Sequence, residues 1–194
     1  MSLKEQIYSV LIVSASDKFN QSLPEIFPLP VFSPVNTVTD ISAAKRGLAD
    51  RDYDMIVINS PLPDDTGIRF AIDAVSSNNT VVLFLAREDQ YSGAYDRLAE
   101  HGVFLLQKPL SKAVFKIASE WLISARERIR KNEKKTTSIE EKMNEIRLVN
   151  RAKWLLISEL KMTEPDAHRY IEKQSMDLCE SKKQIAEGII KTYG

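Results

Sequence analysis

The chain holds a single cysteine, Cys179, among its 194 residues. One thiol excludes an internal disulfide framework, and nothing else calls for an oxidising compartment. Histidine is scarce too: His101 and His168 are far apart and give no ligand spacing for a metal. No apolar run approaches the roughly 20 residues of a membrane-spanning helix. The opening MSLKEQ lacks the apolar core of a signal peptide. Together these absences predict a cytoplasmic protein with no membrane attachment, metal or cofactor. Glycine is missing from Ser111 until Gly188, and Pro165 is the only proline there. Without those breakers the last third of the chain is free to be helical.

What is present divides in two. With 43% hydrophobic and 28% charged residues, the chain can form one compact domain and a second small one. The formal net charge of zero conceals an asymmetry. Residues 1–125 carry 11 Lys and Arg against 15 Asp and Glu, whereas residues 126–194 carry 16 against 12. A basic tail suits a polyanionic partner, although a solvated helical surface has the same composition.

The first 110 residues alternate two patterns. YSVLIVS (8–14), VFSPVNTV (31–38), YDMIVINS (53–60), TVVLFLA (80–86) and GVFLLQ (102–107) are short apolar runs of the kind buried on both faces of a parallel sheet. Pro34 cannot donate to a ladder, which places the second run at an edge. Helical patterns lie between, near 17–26, 40–50, 67–76 and 90–100, with Asp40 as an N-cap. Five strands alternating with helices predict a doubly wound α/β domain whose crevice lies at the carboxyl ends of the strands.

The loop N-S-P-L-P-D-D-T-G after the third strand and Lys108-Pro109 after the fifth complete a layout that resembles the receiver domain of bacterial response regulators, over residues 7 to about 125. The resemblance implies a five-stranded, flavodoxin-like parallel sheet. It also implies a phosphate-accepting aspartate, an acidic pair for Mg²⁺, a hydroxyl residue, a lysine and a switching aromatic. Those positions fall on Asn59, Ser14-Ala15, Ala86, Lys108 and Leu105; only the lysine is kept. An amide is no nucleophile for phosphoryl transfer, and Mg²⁺ requires hard anionic oxygens. Asp17, Asp64 and Asp65 lie close in sequence but are not expected to rebuild a metal site. Lys108 is read as structural, in an ion pair or a helix cap. The domain, taken as residues 1–122, is therefore expected to be a receiver without receiver chemistry, controlled by ligand, oligomer or a partner such as a sensor protein.

From Ser111 the helical period continues. A heptad frame puts Phe115, Leu122, Ile129, Thr136, Met143 and Asn150 at one seam position. Ala118, Ala125, Asn132, Ile139 and Ile146 take the other. Such a frame predicts a dimerising coiled coil over residues 111–146, with Leu122, Ile129, Ile139, Met143 and Ile146 in the seam. The competing reading is a break, because Ser138 with Glu141 forms a capping box. Residues 140–194 then read as an all-α three-helix bundle, with Thr163 and Ser181 opening its later helices.

Arg147, the Ala152-Lys153 step and Leu156 precede TEPDAHRYI, then SMD, then IAEGII. This succession resembles the ANTAR domain, the RNA-binding output module of antitermination regulators, over residues 140–192. Trp154 and the Gln174-Ser175 pair depart from its pattern. The resemblance implies a homodimer that binds paired stem-loops in a nascent mRNA leader and so excludes a terminator. Candidate RNA contacts are Lys153, Arg151, Arg147, Arg169, Lys173, Tyr170, Lys182 and Lys183. Trp154 and Tyr170 also fit a core, Cys179 is read as a packing residue, and no residue is assigned to catalysis. Two rivals remain: a DNA-binding regulator and a dimeric adaptor whose basic face is only solvated.

Overall fold

The computed structural model describes residues 6–194; the first five residues of the expected receiver-like domain lie outside that range. The chain divides into two compact units, one ending at Arg130 and the other Lys131–Gly194. Each is taken separately below.

Five strands, β1 (Tyr8–Val13), β2 (Phe32–Val38), β3 (Met55–Asn59), β4 (Val81–Ala86) and β5 (Phe104–Gln107), form one parallel sheet in the order β2-β1-β3-β4-β5. This is the doubly wound topology that the strand–helix alternation predicts. β2 is an edge, and its pairing slips between Tyr8↔Phe32 and Val10↔Val35. The extra residue falls at Ser33-Pro34, where a missing N–H does least harm.

Alternation along the strands sends side chains to opposite faces. Leu11, Val13, Ile56, Ile58, Val82 and Phe84 meet α3 (Ile41–Asp50), α4 (Ile68–Asn78) and α5 (Glu88–Leu98) on one side. Tyr8, Val10, Ile12, Met55, Leu83 and Leu85 face the other, against Leu23, Phe27, Phe115, Ala118 and Leu122. The single helix expected over 17–26 is two one-turn helices, α1 (Asp17–Asn20) and α2 (Leu23–Ile26), with Pro24 in the first turn of the second. Asp40 does cap α3, accepting the Ala43 N–H at 2.7 Å.

One helix, α6 (Lys112–Leu160), runs without a break through Ser138, so the capping-box interruption does not occur. Its first turns overturn half of the heptad frame. Leu122 is 1% exposed and, with Phe115 and Ala118, belongs to the sheet's own core; Ile129 packs against the same cluster. Leu122, Phe115 and Ala118 are therefore core and not seam residues, whereas Ile129 is only partly covered. The apolar residues left in water on that stretch are Val114, Ile117 and Trp121, on a neighbouring stripe of the helix. Charge fixes the choice of face. Arg126 Nε and Arg130 Nη2 reach Asp54 Oδ1 at 2.9 and 2.8 Å, and Tyr8 donates to Glu127 at 3.0 Å. Burial alone would raise the Asp54 pKa. The Ser9 backbone N–H and the two guanidiniums outweigh that and hold it below the ordinary carboxylate value. Burial and Glu127 push the Tyr8 hydroxyl up to about 12.

In the second unit the end of α6 packs with α7 (Glu164–Leu178) and α8 (Lys182–Tyr193) around Ala152, Leu156, Ala167, Ile171, Ile185, Ala186 and Ile189. Three alanines with no exposed surface lie in this core, and small side chains permit close helix approach. Both expected caps form. Thr163 accepts from Asp166 N at 3.3 Å, and Ser181 with Gln184 makes the complete capping box. Cys179 is exposed and ends α7 in a left-handed conformation (φ 53°), so it is a helix terminator and not the packing residue expected.

Candidate functional site

Two regions carry the candidate residues. The first is the strand-end crevice of the α/β unit. Ser14 follows β1 and pairs its N–H with Val38 at 2.8 Å; Asn59 ends β3; the Lys108 N–H bonds Ala86 at 2.8 Å. The sheet thus brings together Ser14, Asn59, Ala86 and Lys108, as the sequence predicts, and Ala15 lines the cleft above them.

Their hydrogen bonds close on one another. The Asn59 side chain is nearly buried, donates from Nδ2 to Ser14 Oγ at 3.0 Å, and accepts from Lys108 Nζ at 2.8 Å. Lys108 Nζ also donates to the Ser60 carbonyl. The amide suits this place because it offers an acceptor to the ammonium and a donor to the hydroxyl; a carboxylate offers acceptors alone. Lys108 is in neither the ion pair nor the helix cap expected of it: its two partners are neutral oxygens. Burial, then the nearby Arg87 guanidinium, push its pKa below the ordinary lysine value.

Two of the nearby carboxylates are committed elsewhere. Asp64 accepts the Ile41 and Ser42 N–H groups at 3.0 Å each, and these bonds, led by that from Ile41, hold its pKa below the ordinary value. Asp65 accepts the Gly67 N–H at 2.6 Å. Gly67 has φ 84°, and a Cβ there would lie 2.9 Å from the Ile58 side chain, so the β3–α4 turn requires glycine. Among the described residues no group of three or more His, Cys, Asp or Glu is placed to hold a metal. Leu105 is a partly buried residue packed against the core.

The second region is the surface of the helical unit. Lys153, placed first among the RNA candidates, is only 18% exposed at its side chain and is held by Glu164 at 2.8 Å. That bond also lowers the Glu164 pKa. Lys182 is tied to Glu172 at 2.7 Å. Arg147, Arg151, Arg169, Lys173 and Lys183 are exposed, and none forms an ion pair among the described residues. Arg147, Arg151 and Trp154 stand at i, i+4 and i+7 and so share one stripe of α6. Trp154 is 71% exposed, which overturns its core reading; Tyr170 is on the margin at 36%. Ile139, Met143 and Ile146 are at least half exposed. The sequence missed Lys18 and Lys112, which line the crevice with Lys108; no motif marks them.

Comparison with known proteins assigns the two units separately. Residues 137–190 match the family model of the ANTAR domain. The chain is homologous to the transcriptional regulatory protein PdtaR of Mycobacterium tuberculosis, at 29% identity over 142 residues. The match spans 73% of this chain and 69% of that one. The fold of a signal receiver domain from an HD domain-containing protein of Pseudomonas fluorescens Pf-5 superposes with a TM-score of 0.56 at 20% identity. It covers 64% of this chain and 92% of the other. An adenylate cyclase structure from Rhodopirellula baltica matches with a TM-score of 0.61 at 19% identity, over 67% and 97% of the two chains. The chain therefore carries an ANTAR domain after a receiver-type fold, and the matched family and PdtaR are regulatory in character, not enzymatic. Among the described residues no helix is long and apolar enough to cross a membrane.

Proposed function

We propose that the protein is a dimeric transcription antitermination regulator that binds paired hairpins in leader RNA through residues 137–190, under a receiver domain that is not switched by aspartyl phosphorylation. The observation that carries this reading is the split among the basic residues of the ANTAR domain. Lys153 and Lys182 are consumed in ion pairs, while Arg147 and Arg151 stand unpaired beside an exposed indole. Phosphates favour unpaired cations, and unstacked loop bases favour aromatic or guanidinium planes. Lys153 acts by holding the α6–α7 turn through Glu164, and Arg147, Arg151 and Trp154 meet the RNA.

A second copy covers Ile139, Met143 and Ile146. Two linked RNA modules gain avidity that neither has alone. Ile146→Asp should then yield a monomer with tandem-hairpin affinity reduced by at least about tenfold, and single-hairpin affinity little changed. The first unit's part follows from the crevice, where an amide, a serine and two alanines leave no phosphate acceptor and no Mg²⁺ ligand set.

The test is a salt titration of full-length protein against tandem-hairpin RNA, single-hairpin RNA and duplex DNA. Preference for the tandem RNA, falling steeply with salt, supports the reading. Equal preference for the duplex points to a DNA regulator, and no salt-dependent binding leaves an adaptor.

A further inference from the structure

With the acceptor carboxylates gone, the strand-end crevice is still a cleft of about 750 Å³, inside the ~300–1,000 Å³ range of small-molecule sites. What has changed is its charge. The lining includes three lysines, Lys18, Lys108 and Lys112, and one carboxylate, Glu25. Glu25 is taken by Lys112 at 2.5 Å. Lys18 and Lys108 therefore stand against no acid of the cleft wall, where the receiver layout would present a carboxylate cluster.

Lys108 is the informative member. Its ammonium is half-buried, yet its partners are the neutral oxygens of Asn59 and Ser60. Those bonds use two of its three N–H donors. A partly desolvated cation without a counter-charge is costly. The lowered pKa, from burial and then from Arg87, is that same cost expressed as a proton equilibrium. An anion in the cleft would supply the missing counter-charge and offset that cost. Beside the lysines the lining carries Phe19 and Leu110, an apolar wall that inorganic phosphate would leave unused.

We propose that this crevice binds a small organic anion directly through Lys108 and Lys18, without a metal, its phosphate or carboxylate head on the lysines and an apolar body against Phe19 and Leu110. The receiver fold then acts as a ligand-binding input in place of a phosphorylation site. The inference is independent of the RNA reading and shares with it only the missing acceptor at Asn59.

The test uses full-length protein, with phenyl phosphate and benzoate as probes, titrated by two-dimensional amide NMR with and without EDTA. Inorganic phosphate supplies a head without a body, and benzyl alcohol a body without a charge. The expected result is saturable shifts at the ends of β1, β3 and β5 with either anion. EDTA should not change them, inorganic phosphate should bind more weakly, and benzyl alcohol should not bind. Lys108→Gln and Lys18→Glu should each weaken binding by about tenfold or more. Lys18 is exposed, so its variant carries the test if Lys108→Gln fails to fold. Binding that disappears with EDTA would overturn the proposal in favour of a metal site. Absence of saturation with both probes, or affinity unchanged in Lys18→Glu, would overturn it outright.

Discussion

The two units treat their lysines in opposite ways. In the α/β unit Lys108 is drawn into the protein and meets only neutral acceptors, although the cleft around it is open. In the helical unit the most buried of the candidate lysines, Lys153, is neutralised by Glu164, and the exposed arginines are left without acids. A motif identifies both positions equally well. Their chemistry differs because charge that is desolvated and unpaired remains available to an anion, whereas charge already paired has become structure. On the two proposals above, Lys108 would bind an anion although its sequence reading is structural, and Lys153 would hold a helix turn although its sequence reading is RNA contact.

The comparison can be broken most forcefully through the cores beneath each surface. Leu156 has no exposed area in the helical core; Leu156→Ala should destabilise that unit by ~3–4 kcal/mol. Calorimetry should show the helical transition falling while that of the α/β unit stays. Slightly smaller, at about 3 kcal/mol, is the expected loss for Asp54→Asn, which removes the nearly buried carboxylate shared by Arg126 and Arg130. Asp54 also gives a pH signature. Its folded pKa lies below the unfolded value, so its contribution is fully present above the ordinary carboxylate pKa. That contribution is lost as pH falls through the lower, folded value. Urea denaturation between neutral and acid pH should therefore be flatter for Asp54→Asn than for the parent.

The surfaces themselves come next. Trp154→Ala should weaken hairpin binding by roughly 1–3 kcal/mol, the usual worth of one stacked base. Arg151→Ala should lower the salt slope by about one phosphate contact. Lys153→Met should instead lower thermal stability and leave the salt slope unchanged; a reduced slope would put Lys153 on the RNA. The smallest expected effect sharpens the contrast from the other side. Asn59→Asp restores a carboxylate next to Lys108, but Ser14 and Ala15 still supply no Mg²⁺ ligand. Incubation with acetyl phosphate should leave the variant unphosphorylated by intact-mass measurement, and detectable acyl phosphate would mean that Asp17, Asp64 or Asp65 can substitute.

Much of this was legible in the amino-acid order because the signals are local. Continuous apolar runs gave the strands, and Pro34 marked the edge. Asp40, Thr163 and Ser181 marked helix starts through bonds that span only three residues. The crevice was legible for a related reason: in a doubly wound sheet, the ends of successive parallel strands must converge. Ser14, Asn59 and Lys108 meet although they are 45 and 49 residues apart.

What remained hidden was which of several possible partners each side chain takes. The first turns of α6 carry two apolar stripes, Phe115-Ala118-Leu122 and Val114-Ile117-Trp121, and periodicity alone cannot rank them. The sheet took the first, and Asp54 locked it there through arginines 72 and 76 residues away. The Ser138 capping box was available and went unused, since a cap stabilises a helix start only where the preceding turns are not already helical. Thus the sequence by itself determined the elements, their caps and the amide at the end of the third strand, all of them matters of residue type and short spacing. Only the tertiary structure decided which face of α6 is core, that Trp154 is exposed, and which lysines keep an unanswered charge, because burial and pairing belong to surfaces assembled from distant parts of the chain.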